Sequence, residues 1–161
     1  MIKNHKPFRK AITITLSVIA ILSLYELGRR NIGGFAGSYP FAETWTIHHP
    51  LEDVKLRLAK LHRISPNLFR DTASLQFTNA YSSDPSSQDR IDFYYADRDE
   101  YVQVIITSSW ECDTCAEVAL VSFTSRKNST IRLMNRDFNW FANRREIQTF
   151  EDRILRHISE D

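Results

Sequence analysis

"SSWECDTCAEVALVSFT", residues Ser108 to Thr124, is the stretch that decides the fold. It holds the two cysteines of the chain, Cys112 and Cys115, spaced as C-x-x-C. A helix after the motif would make a strand–motif–helix unit. A strand after it would make a reversal between antiparallel neighbours. Glu117–Thr124 alternates and is rich in β-branched and aromatic residues, which predicts a strand. Tyr101–Thr107, "YVQVIIT", predicts the strand before it, so the cysteines fall at the bend between the two.

The same reasoning extends outward. Ile91–Ala96 and Tyr101–Thr107 predict a hairpin joined by "DRDE", and Glu117–Thr124 and Thr130–Asn135 a second pair joined through "SRKN". Thr44–His48 predicts a strand and Leu75–Tyr81 another, the latter followed by the polar loop "SSDPSSQDR". Pro50 opens a helix to about Arg63, with Glu52 and Asp53 in its first turn, Leu51, Val54, Leu58 and Leu61 as its apolar stripe, and Lys60, His62 and Arg63 at its end. Asn143 and Glu146 have capping-box spacing and open a final helix, in which Ile147, Phe150, Ile154 and Ile158 share a face. Consecutive strands flanked by helices predict an α+β fold: a mostly antiparallel sheet of about five to six strands, one helix after the first strand and one at the C-terminus. Trp45, Phe77, Phe93, Tyr94, Tyr95 and Phe123 are its expected core aromatics.

Residues 1–30 carry six Lys/Arg and one acid, Glu26. The other 131 residues carry 15 Lys/Arg and 19 Asp/Glu, a net charge of −4. An acidic domain is the opposite of a polyanion binder, so no nucleic-acid partner is expected. Between Lys10 and Arg29 lie 18 residues with Glu26 as their one charge, and in helical form they span roughly 27 Å, close to the hydrocarbon thickness of a bilayer. The organisation expected is a basic cytoplasmic tail (1–10), a transmembrane signal anchor (11–28), a glycine-containing tether (29–40) and an extracytoplasmic α+β domain (41–161). Cleavage after Ala36 is the alternative; it leaves a long stretch after the apolar core. Lys3, Lys6, Arg9 and Lys10 before the span outnumber Arg29 and Arg30 after it, which places the N-terminus in the cytoplasm and the domain outside, in the periplasm if the cell is Gram-negative.

All four glycines, Gly28, Gly33, Gly34 and Gly37, precede residue 38. Phosphate-cradling loops and the nucleophile elbow of hydrolases both need glycine where the backbone turns sharply or approaches an anion. A glycine-free domain builds neither. No catalytic residues, cofactor or metal are expected.

Three readings of the cysteines remain. Thioredoxin-like enzymes place Trp directly before C-x-x-C, lead into a helix and need a downstream proline. Here Glu111 intervenes after Trp110, a strand follows, and Pro7, Pro40, Pro50, Pro66 and Pro85 all lie upstream. Zinc needs four ligands, and His48 and His49, if on a strand, point to opposite faces, so one at most joins the pair. Glu111 and Asp113 raise the thiol pKa, against reactivity. The favoured reading is a Cys112–Cys115 disulfide formed in an oxidising compartment. Asp97, Asp99 and Glu100 suit a turn better than a cation site, and the sequon Asn128-Ser129-Thr130 suits a hairpin tip.

The element order resembles a shortened helix-grip or START-like domain, which implies an apolar cavity and a carrier or sensor role. "YPFAETWTI" (39–47) and "MNRDFNWFANRREIQTFEDRIL" (134–155) resemble small uncharacterised bacterial cell-envelope proteins with one N-terminal anchor. That resemblance implies a compartment and no activity. The function expected is a membrane-anchored, non-enzymatic binding or assembly module with an envelope protein partner. The alternatives are an apolar-ligand carrier and a thiol–disulfide exchanger.

Overall fold

The computed structural model describes residues 6–32, 39–70 and 88–160. The predicted strand Leu75–Tyr81, with Phe77, and the middle of the tether, 33–38, lie outside these residues. Helix α1 is Lys6–Ile32, followed by β1 (Glu43–Ile47), α2 (Leu51–Ile64) and a 3-10 turn at Pro66–Leu68. Then come β2 (Asp89–Tyr95), β3 (Glu100–Ser108), β4 (Ala116–Ser125) and β5 (Ile131–Leu133). Short helix α3 (Met134–Asp137) precedes α4 (Trp140–Phe150), which runs through a wide π turn, Glu151–Leu155, into α5 (Arg156–Ser159). The fold is α+β, with a wholly antiparallel five-stranded sheet among the described residues.

The stretch after the cysteines is a strand. Ser108 pairs with Ala116, and the ladder runs back to Glu100 opposite Ser125. A bulge breaks the register between Gln103 and Val104 and leaves Val121 as the extra residue on β4. The other edge of β4 is shared. β1 takes Ala116 to Leu120, and β5 takes Ser122 to Thr124.

The period-two pattern fixes the inner face: Ile91, Phe93 and Tyr95 on β2, Val102, Val104 and Ile106 on β3, and Val118, Leu120 and Phe123 on β4 are all buried. Val54, Leu58 and Leu61 of α2 and Ile147, Phe150, Ile154 and Ile158 of the last helices close over them, as their helical spacing predicts. Each such side chain is worth about 1.5–3 kcal/mol when fully buried. Trp45 meets Phe150 at 5.2 Å between ring centroids, and Phe69 meets Phe93 at 5.0 Å. Tyr94 differs from the expected core set: it lies on the outer face, where its hydroxyl donates to Asp99 Oδ1 at 2.9 Å.

Two helix starts differ from the sequence expectation. Pro50 is the cap before α2, with ψ 150°, rather than its first helical residue. The last helix begins at Trp140, and its cap is Asn139, whose side chain accepts from the backbone N–H of Ala142 at 2.9 Å. Asn143 and Glu146 are inside the helix and buried. The predicted strand Thr130–Asn135 is also shorter, because the chain turns into α3 at Met134.

Asn135 ties the split edge together. Its backbone N–H donates to Phe41 O, its Nδ2 donates to Ala42 O at 3.1 Å, and its Oδ1 accepts from Asn143 Nδ2 at 2.9 Å. The last turn of α1 reaches the same place: Arg29 Nη1 donates to Asn135 O at 2.8 Å and Nη2 to Phe138 O at 2.6 Å.

Candidate functional site

Cys112 and Cys115 lie at disulfide-bonding distance, with Cα atoms 5.4 Å apart, in the turn between β3 and β4. The turn closes on its own backbone: Cys115 N–H donates to Cys112 O at 3.2 Å and Ser109 N–H to Cys115 O at 2.9 Å. The two cysteines differ in exposure. Cys115 is buried, while Cys112 is half-buried. His48, just past β1, brings Nδ1 to 3.6 Å from the Cys115 sulfur. Trp110 stands beside the turn, 86% exposed. Of the histidines weighed as ligands, His48 meets the cysteine pair. His62 packs edge-on to Phe69, and His157 lines a groove on the far side of α2. Among the described residues no group of three or more His, Cys, Asp or Glu is placed to hold a metal ion.

The acidic turn Asp97–Glu100 disperses its carboxylates. Asp97 accepts from Arg153 at 2.8 and 3.0 Å, Asp99 takes the Tyr94 hydroxyl, and Glu100 takes Arg132. Asp99 holds φ at 53°, a left-handed conformation that Asp tolerates better than most residues. Its carbonyl accepts from Arg126 N–H at 3.0 Å, joining this turn to the one after β4. At the sequon, Asn128 Oδ1 accepts from Thr130 N–H at 3.2 Å, an arrangement that makes the hairpin tip.

The outer face of the sheet carries a second candidate. Tyr39 and Ala42 cover one end of it, over Ile105, Ala119 and Val121. Beyond them is an open depression of about 280 Å³, lined by Arg70, Arg90, Asp92, Tyr101, Gln103, Thr124 and Arg126 among others. Alternation puts these side chains here: Arg90, Asp92 and Tyr94 point away from the core, and Asp92 and Tyr94 face Gln103 and Tyr101 across the ladder. Arg70 and Arg90 both donate to Asp92, at 2.9 and 3.1 Å, and Arg70 lies over the Tyr101 ring at 4.9 Å. The lining holds three arginines and one carboxylate on a domain that is acidic overall. The sequence reading missed this site, although the alternation of "DRIDFYY" contains it.

A helix-grip carrier needs an open interior. In the described residues, Trp45 packs on Phe150, and Phe93 on both Phe69 and Phe150, between sheet and helices. A further depression of about 490 Å³ is open at the surface and lies along α2, with Arg57, Lys60, Ile64 and His157 in its lining.

α1 is long and apolar enough to cross a membrane, over Ile12–Asn31, with none of that window buried. Set against known proteins, the chain matches no protein-family model, none of the curated proteins and none of the solved structures.

Proposed function

We propose that the chain is a membrane-anchored, non-enzymatic binding module of the cell envelope, with its N-terminus in the cytoplasm and its domain outside. The partner is an acidic segment of an envelope protein, received at the arginine–tyrosine depression. The carrying observation is the contrast between the two faces of the sheet: one is sealed by helices, and the other presents Arg70, Arg90 and Arg126 around Tyr101. Arginine stacked on an aromatic ring keeps donors for a carboxylate partner. The Cys112–Cys115 bond acts as a structural staple in this reading.

A photo-crosslinking residue at Gln103 of the full chain, in cells, tests it. A discrete adduct is expected, absent when the crosslinker stands at Gln148 on α4, and lost in Arg90→Glu/Arg126→Glu. Equal adducts at both positions, or reproducible hydrolytic or redox turnover by the purified chain, would sink the reading. Alkaline-phosphatase and fluorescent-protein fusions at residue 161 report the topology, and a bright cytoplasmic fluorescent fusion counts against it.

The second reading is thiol–disulfide exchange. The unequal exposure of Cys112 and Cys115 and the contact of Cys115 with His48 favour it. An insulin-reduction assay with the reduced chain decides it, and absence of turnover removes it.

A further inference from the structure

We infer that Trp140 and Phe141 seat the domain on the bilayer that α1 crosses, so that the module lies against the membrane surface in a fixed pose. The inference rests on the anchor reading. It starts from Arg29, whose guanidinium bonds Phe138 O and Asn135 O from the last turn of α1. Ile12–Asn31 is 20 residues, about 30 Å of helix, so Arg29 stands at the level of the headgroups when the helix spans the hydrocarbon. Phe138 O is within one hydrogen bond of that level. Trp140 and Phe141 are the second and third residues beyond it, within reach of a headgroup layer roughly 5–8 Å thick.

The chemistry of this loop fits that depth. Phe138 is buried against Phe123, with ring centroids 5.3 Å apart, and Asn139 caps α4, so the backbone of the loop is held at both ends. Trp140 and Phe141, the first two residues of α4, follow it, 52% and 79% exposed, and stack on each other edge-to-face at 5.0 Å. Two adjoining exposed aromatics cost solvation in water, and at a lipid interface the indole keeps its N–H wet while its rings leave water. Arg144 and Arg145 follow one turn later on the same helix and are exposed. They supply cations for lipid phosphates beside a domain whose net charge alone would repel an anionic surface.

The test uses the full chain in vesicles of phosphatidylcholine and phosphatidylglycerol containing a lipid brominated near the top of its acyl chain. Bromine quenches tryptophan on contact. Trp140→Phe is expected to cut the lipid-dependent quenching roughly twofold or more, while Trp110→Phe, removing an indole that is more exposed still, leaves it. Quenching unchanged by Trp140→Phe overturns the inference. Flotation after a carbonate wash reads the anchor separately. A chain that floats without Trp140-dependent quenching overturns this inference alone, and a chain that washes off overturns both.

Discussion

Arg98 Nη1, in the turn between β2 and β3, donates to both carboxylate oxygens of Glu146 on α4, at 2.7 and 2.6 Å. Glu146 is 1% exposed, so the pair bolts the hairpin end of the sheet to the last helix through the interior. Arg98 also lies 5.1 Å from the centre of the Tyr95 ring, and Arg153 covers that ring at 4.6 Å.

Breaking this pair from one side leaves a buried charge without its partner. Arg98→Ala, which strands the buried Glu146 carboxylate, is expected to cost about 3 kcal/mol or more, and Glu146→Gln, which leaves only the half-buried Arg98 guanidinium without its ion pair, somewhat less. Arg153→Ala, which removes an exposed pair with Asp97, is expected to cost no more than about 1 kcal/mol. Urea unfolding of the full chain in detergent gives both numbers, and equal losses would refute the distinction.

Tyr95 is fully buried, and its hydroxyl has no hydrogen-bond partner among the described residues. Burial pushes the phenol well above its ordinary pKa. Tyr95→Phe removes an unsatisfied polar atom and keeps the ring, so stability is expected to hold or rise by up to about 1–2 kcal/mol. A loss of comparable size would reveal a partner for the hydroxyl.

Cys112 and Cys115 are expected to be bonded in protein taken from its own compartment, which mass spectrometry without reductant reads directly. A three-residue separation closes a small loop, so Cys112→Ser/Cys115→Ser should lower stability by roughly 2 kcal/mol or less and leave partner crosslinking intact. Two free thiols or bound zinc would contradict the staple.

Acid should loosen the outer clasp between the β2–β3 turn and the last helix. The hydrogen-bonded Arg153 guanidinium holds the Asp97 carboxyl below its ordinary value. A depressed folded pKa contributes stability that is present above the unfolded value of about 3.9 and is lost as pH falls through the lower folded value. Unfolding midpoints at about pH 6 and about pH 3 should therefore converge in Asp97→Asn relative to wild type. An unchanged gap would show that the pair does not couple to folding.

Local patterns made the strands legible. The alternation of Glu117–Thr124 announced β4, and the stripe Val54, Leu58 and Leu61 announced the buried side of α2. Partners distant in sequence stayed hidden. Asn143 and Glu146 carry capping-box spacing, yet each is buried because Asn135 and Arg98 come to meet it from other elements. The true cap, Asn139, sits in "FNWFAN" without a Glu three residues on. The basic depression was equally hidden, because Arg70 and Arg126 reach Arg90 through the fold alone.

β1 and β5 share one edge of β4, and neither has that edge until β4 has been made. During synthesis α1 emerges first and β1 soon after, but β1 pairs with residues 116–120 from the far half of the chain. The domain therefore closes late, by a long-range contact of the kind that slows folding. Until then the nascent β1, Glu43–Ile47, waits with its backbone unpaired. A ribosome stalled with β4 still in its tunnel should hold a chain whose α1 has emerged and whose domain is still open to protease.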